Sequence, residues 1–132
     1  MNARSTWLTL AAMAMTAATV SGAVAADKRT VALVYGIKGD AFYVTMQKGA
    51  QAKADELGVE LLADGPSQWN PAIQTPIVDA MIARKVDGLI AVPNDPQAMI
   101  AVLQRANDQG IPIVTTDQYI GDGDYAGGSV TF

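Results

Sequence analysis

Three aromatic side chains stand next to carboxylates and amides in this sequence: Asp40-Ala41-Phe42-Tyr43 and Trp69-Asn70, with Asn94-Asp95 and Asp117-Gln118 further on. That combination suits a neutral, polyhydroxylated ligand. The C–H faces of a sugar ring are apolar and stack on aromatic rings. A carboxylate can accept from two hydroxyls at once, and hydrogen bonds to a charged acceptor are the stronger kind. Side-chain amides both donate and accept. The chemistry that is missing narrows the field further. With no Cys and no His, the chain has no disulfide, no thiol nucleophile, no common zinc ligand set and no Ser-His-Asp arrangement. Gly36-Ile37-Lys38-Gly39 is too short and wrongly spaced to cradle a phosphate. Asp122 and Asp124 look like a fragment of a calcium loop but lack its ligand spacing and terminal Glu. No metal or cofactor is expected.

The elements that would position these residues follow from two textures in the chain. Short apolar runs without a polar face occur at Thr30–Tyr35, Val59–Ala63, Gly88–Val92 and Ile111–Thr115, the pattern of parallel strands covered on both sides. Between them lie amphipathic segments with helical spacing. Phe42, Met46, Ala50, Ala54 and Leu57 form one stripe; Ile73, Ile77, Ala80 and Met81 a second; Met99, Val102, Leu103 and Ala106 a third. Asn70-Pro71 and Asp95-Pro96 each place a capping side chain before a Pro at the first helical position. Gly58 and Gly110 sit just past the helices they terminate. The order βαβαβαβ with right-handed crossovers predicts an α/β fold, a doubly wound parallel sheet with strand order 2-1-3-4 and helices on both faces. Ligands of such sheets bind beyond the carboxyl ends of the strands, near the point where strand order reverses. Those ends hold Asp40, Phe42, Tyr43, Trp69, Asn94, Asp95, Asp117 and Gln118.

Residues 1–26 read as a cleavable export signal. Arg4 is the only charge before a run from Trp7 to Val20 that carries none, and the small residues Ala23-Val24-Ala25-Ala26 precede Asp27-Lys28-Arg29. The apolar run falls short of the roughly 20 residues a membrane span needs. Cleavage after Ala25 or Ala26 leaves about one modest domain, 27–132. The net charge is −4, and loss of Arg4 makes it more acidic. Without a Lys/Arg cluster, neither nucleic acid nor an anionic membrane is an expected partner. After Ile120 a small, acidic loop leads to Ser129-Val130-Thr131-Phe132, which reads as a strand just beginning. The domain is therefore expected to be incomplete at the carboxyl end, since a bare apolar strand there would be an exposed edge.

Taken in order, Thr30-Val-Ala-Leu-Val-Tyr35, Asp40-Ala-Phe-Tyr-Val44, Gly49-Ala-Gln-Ala-Lys-Ala-Asp-Glu-Leu-Gly58, Val86-Asp-Gly-Leu-Ile90 and Ile111-Pro-Ile-Val-Thr-Thr-Asp117 resemble the amino-terminal lobe of periplasmic sugar-binding proteins of the ribose-binding type. The resemblance covers Lys28 to Phe132. It implies a two-lobe protein that traps a monosaccharide or polyol between its lobes, without catalysis. It further implies a monomer in the periplasm that delivers its ligand to an inner-membrane ABC permease; some members also dock to chemoreceptors. Carried over, the family's ligand positions are Asp40, Phe42 and Tyr43, then Asp117 and Gln118. Two departures leave the sugar open. Asp40 stands where the family commonly has Asn, and Gln118 follows Asp117 where ribose binders usually have Arg. Gly65-Pro66 with Gln74 is closer to relatives that bind rhamnose or autoinducer-2.

Each candidate also has a structural reading. Asp117 could cap a turn, but an unpaired carboxylate at a strand end has little structural use, which favours a ligand. Asp40 doubles as the N-cap of the following helix. Phe42 and Tyr43 are adjacent and point to different faces of that helix, so one is expected in the core and the other against sugar. Trp69 lies on a Pro- and Asn-flanked loop and reads as a ligand or lobe-interface residue. Asn94 reads first as a helix or turn cap, and is kept as a candidate contact. The rival function is an exported enzyme on the same α/β layer using Asp40 or Asp117 as a base, for which the supporting nucleophile motifs are missing. A cytoplasmic repressor core of this fold is disfavoured by the export signal and by the absence of a DNA-binding headpiece.

Overall fold

The computed structural model describes residues 28–120; the expected export signal, the Asp122–Asp124 loop and the strand expected at Ser129–Phe132 lie outside them. Seven elements alternate along the chain: β1 (Thr30–Val34), α1 (Ala41–Leu57), β2 (Glu60–Asp64), α2 (Pro71–Ala83), β3 (Gly88–Ala91), α3 (Ile100–Asp108) and β4 (Ile113–Thr115). The four strands form one parallel sheet in the order β2-β1-β3-β4, as the sequence predicts. In register, Val34 at the end of β1 lies between Asp64 of β2 and Ala91 of β3. At the opposite end Asp87 closes the β1–β3 pair, its carboxylate accepting from Thr30 N at 2.7 Å while its own N–H donates to Thr30 O.

Alternation along β1 sends consecutive side chains into different layers. Ala32 and Val34 join Leu89, Ala91, Val78, Met81, Ile82, Met99, Val102, Leu103 and Ala106 under α2 and α3. Leu33 and Tyr35 join Tyr43 and Val92 under α1, with Met46, Ala50, Leu61 and Ala63 packed against them. Both faces of β1 and β3 are thus covered, at roughly 1.5–3 kcal/mol for each large apolar side chain removed from water. The fourth strand is the exception. Val114 remains 62% exposed, so β4 is covered on one face only: α1 packs over β1 and β2 and leaves the same face of β4 bare.

Two helical stripes also differ from the expected ones. In α2 the buried residues are Gln74, Val78, Met81 and Ile82, while Ile73 faces solvent; the buried stripe runs through a polar residue that apolar periodicity skips. In α1 the burial falls on Tyr43 and Ala54, and both ends of the expected stripe, Phe42 and Leu57, are exposed. The third stripe is buried throughout.

The caps explain where the elements begin. Asp40 accepts from Phe42 N at 2.8 Å and starts α1; Gly58, at φ 68°, ends it by donating back to Ala54 O and Asp55 O. Asn70 accepts from Ala72 N ahead of Pro71 at the start of α2. Asp95 does not cap α3. Its carboxylate accepts from Gln97 N and Ala98 N and closes a turn over residues 96–99, and α3 follows from Met99 with no side-chain cap.

Candidate functional site

Strand order reverses between β1 and β3, because the chain leaves β1 towards β2 on one side and returns to β3 on the other. The loops beyond these strands are where ligands of open parallel sheets bind. A buried amide pair ties them together. Gln74, fully buried on α2, donates to Val92 O at 2.6 Å and more weakly to Tyr35 O at 3.4 Å, and its Oε1 accepts from Asn94 N at 2.9 Å. Asn94 in turn donates through Nδ2 to Gly36 O at 3.0 Å. Two side chains therefore bridge the diverging ends of β1 and β3. Asn94 Oδ1 is buried and accepts no hydrogen bond from the described residues. The expectation that Asn94 caps a turn is corrected: Asp95 performs that task, and Asn94 links the two loops.

Next to this pair stands a column of aromatic rings. Tyr43 is stacked with both Tyr35 (centroids 6.2 Å apart, planes at 19°) and Trp69 (6.3 Å, 27°), and Phe42 meets it edge-on at 5.2 Å, separations at which aromatic pairs attract. The backbone passes close beside the column. A Cβ on Gly36 would fall 2.3 Å from Trp69 Cζ3 and 2.7 Å from Tyr43 Cζ and its hydroxyl oxygen, and one on Gly65 would fall 2.4 Å from the Tyr35 ring. Only glycine fits at either place. Of the adjacent pair, Tyr43 is the core residue, whereas Phe42 is 56% exposed and Trp69 45%; these two rings are open to a ligand.

Asp117 comes to this column from the end of β4. Its backbone is left-handed, φ 65°, a conformation Asp tolerates better than most residues. The Tyr43 hydroxyl donates to Asp117 Oδ2 at 2.7 Å. The carboxylate is therefore not unpaired, which corrects one premise of the sequence reading. Its Oδ1 takes no hydrogen bond from the described residues, and the residue is exposed. Burial, and then the bond to Asp117, push the Tyr43 phenol well above its ordinary value, so it stays a donor. Asp40 Oδ1 is engaged in capping α1, and Gln118 is half-buried next to Asp117.

Charge at the strand ends is balanced locally. Lys38 pairs with Asp64 at 2.8 Å, and this hydrogen bond holds the ammonium above its ordinary pKa. Asp64 Oδ1 also accepts from Gly65 N, and Lys38 N donates to Pro66 O, fixing the loop after β1 to the loop after β2. Among the described residues beyond the strand ends, no cation other than Lys38 is present, and no group of three or more His, Cys, Asp or Glu could hold a metal ion.

The structure thus brings Phe42, Tyr43, Trp69, Asn94 and Asp117 together beyond the carboxyl ends of the strands, with Asp40 and Gln118 beside them. Sequence reasoning missed Tyr35, Gly36 and the structural task of Gln74. A lone amide in the apolar face of α2 was the available signal for Gln74; the other two show themselves only in the packing.

Comparison with known proteins gives a consistent result. The model of the periplasmic binding protein domain family matches residues 31–129. The chain is 33% identical to the ribose import binding protein of Escherichia coli K12 over 118 residues, 89% of this chain and 39% of that protein. It is 34% identical to a D-ribose/D-allose-binding protein of Pseudomonas aeruginosa over 94 residues, 69% of this chain and 30% of the other. Among solved structures it resembles an ABC transporter solute-binding protein from Agrobacterium vitis bound with α-D-tagatopyranose, with TM-score 0.71, 42% identity, and coverage of 78% of this chain and 35% of that one. A periplasmic solute-binding protein from Actinobacillus succinogenes with bound D-allose is similar at TM-score 0.69 and 28% identity, over 74% of this chain and 35% of the other. The chain spans about two fifths of the length of such relatives, 41% for the ribose import binding protein of Salmonella typhimurium.

Proposed function

The chain belongs to the periplasmic binding protein domain family, and on that premise we propose that it is the first lobe of a solute receptor that closes on a neutral monosaccharide or polyol. The reading takes residues 1–26 as an export signal and 27–132 as the lobe, in a monomeric periplasmic protein whose second lobe is supplied by further chain. The closed form hands its ligand to an inner-membrane ABC permease and can also be read by a chemoreceptor. No bond in the ligand is made or broken. One observation carries the reading: two exposed rings, Phe42 and Trp69, pack on Tyr43, whose hydroxyl holds a carboxylate with a spare oxygen, Asp117, at the carboxyl ends of a parallel sheet where its strand order reverses.

Each feature has a task in such a receptor. The exposed rings offer flat apolar faces to sugar C–H groups. Asp117 Oδ1 accepts a hydroxyl, Asp40 and Gln118 supply further polar contacts at the rim, and the buried Asn94 holds the loops beneath them. With Lys38 already paired to Asp64, the lobe has little to offer a phosphate or carboxylate, which favours an uncharged ligand. The names of the relatives point to ribose, allose and tagatose as first trials.

Trp69 reports directly on this site. It is one of two tryptophans in the chain, and the other, Trp7, lies in the segment read as cleaved. Titrating the processed full-length protein with pentoses, hexoses and polyols is expected to change its fluorescence saturably for one of them, with the sugar recovered unaltered. A chemically changed sugar would decide for the rival enzyme, and silence across the panel would count against a sugar receptor.

A further inference from the structure

Tyr43 occupies a position from which an aromatic ring would be expected to stack on the ligand, yet it has no free face. Tyr35 and Trp69 both stack on it, Phe42 abuts its edge, and the residue is 6% exposed. Its ring cannot retreat either, because the backbone at Gly36 lies so close to Cζ and the hydroxyl that not even a methyl group would fit between them. What Tyr43 presents is the hydroxyl, held in one place and donating to Asp117 Oδ2 at 2.7 Å. Asp117 itself is exposed, lies just past a three-residue strand and adopts a left-handed backbone. A carboxylate so placed would otherwise exchange between rotamers and lose that freedom on binding, at a cost to affinity.

Resting on the receptor reading above, we infer that Tyr43 is a positioning residue that acts on the ligand through Asp117. The rigid phenol fixes the carboxylate before the ligand arrives and commits Oδ2. Oδ1 is then the oxygen with full accepting capacity, so Asp117 grips a single hydroxyl rather than chelating two neighbouring ones. The pair also joins the first turn of α1 to the end of β4. Tyr43 thereby sets which hydroxyl pattern the lobe favours without touching the sugar.

The test is a double-mutant cycle in the processed full-length protein, titrated calorimetrically with D-ribose, D-allose and D-tagatose. The wild type is compared with Y43F, D117A and the double variant, each first checked for native circular dichroism. Y43F keeps the ring and removes only the donor, and is expected to weaken binding about tenfold, the scale of one hydrogen bond to a charged group. In the D117A background the same change should cost less than about twofold, because nothing remains for the phenol to position. Equal losses in both backgrounds would show that Tyr43 contributes packing alone and would overturn the inference, as would no loss in either. Should D117A abolish measurable binding, monodeoxy analogues of the bound sugar replace that arm. One of them is expected to be insensitive to Y43F, and retained sensitivity in all of them overturns the proposal. A wild type that binds no sugar or polyol overturns the receptor reading and this role with it, whereas additive losses in a wild type that does bind overturn this role alone.

Discussion

Gly36 is the residue on which the site depends most narrowly. It contributes no side chain, and its value lies in the space that the Trp69 and Tyr43 rings occupy beside its backbone. G36A is expected to push the aromatic column apart, destabilising the fold by about 1–3 kcal/mol, the usual cost of overfilling a packed region. Urea denaturation with near-ultraviolet circular dichroism reads both effects, and an unchanged aromatic signal with unchanged stability would contradict the packing described. Tyr43 gives a second prediction at this scale. Its phenol is raised in the folded protein, first by burial and then by Asp117, with Asp40 adding a smaller push. An acid held protonated in the fold contributes stability that is complete below the unfolded value, about 10, and is lost as pH rises from there towards the folded value. Stability of the wild type should therefore fall more steeply above pH 10 than that of Y43F. Parallel slopes in denaturation series at pH 9 to 11 would show that this phenol does not titrate as described.

At the scale of elements, α2 matters for more than the cover it gives the sheet. Through Gln74 it holds the diverging ends of β1 and β3 at a fixed separation and so supports the loop that leads into α1 and the loop that carries Asn94. Removing that side chain strands Val92 O and Asn94 N in a dry interior, where each unsatisfied group costs about 1–3 kcal/mol. Q74A is expected to lose about 2–5 kcal/mol in all, and Q74M, which restores volume without the hydrogen bonds, to recover less than half of it. Full recovery by Q74M in chemical denaturation would mean that volume, not bonding, is what the position supplies. The sequence could place the element but not this duty. Apolar spacing located α2, and Asn70-Pro71 fixed its start, because capping is a local interaction decided within three residues. The inward face of α2 includes a glutamine because carbonyls just past two strands, Tyr35 O and Val92 O, accept from its side chain in the core.

For the whole molecule, the receptor proposed above would have in the described residues only one wall of its cleft. Phe42 and Trp69 expose about half their surface each, so a sugar resting on them alone would keep much of its own surface in water. High affinity for small ligands comes from sites that bury most of the ligand. Binding by the 132-residue chain alone is therefore expected to be at least about a hundredfold weaker than by the full-length protein, measured under the same conditions by Trp69 fluorescence. Equal affinity of the two would show that a single wall suffices and that closure of a second lobe contributes nothing.

What the sequence determined by itself was the architecture and the neighbourhood of the site. Strand runs, the positions of the three helices, the buried stripe of α3, two of the three expected N-caps and the strand order 2-1-3-4 follow from periodicities, local hydrogen bonds and the handedness of crossovers. The same reasoning put Asp40, Phe42, Tyr43, Trp69, Asn94, Asp117 and Gln118 at strand ends, since an open parallel sheet exposes its carboxyl edge. The tertiary structure alone decided the division of labour among them. Tyr43 went inward and Phe42 outward, Asn94 became a tie between loops, and Asp117 acquired a phenolic partner 74 residues away in the chain. These outcomes depend on contacts between distant segments and on the closeness of backbone at Gly36 and Gly65. No local pattern encodes them, because each is fixed only when the layers pack.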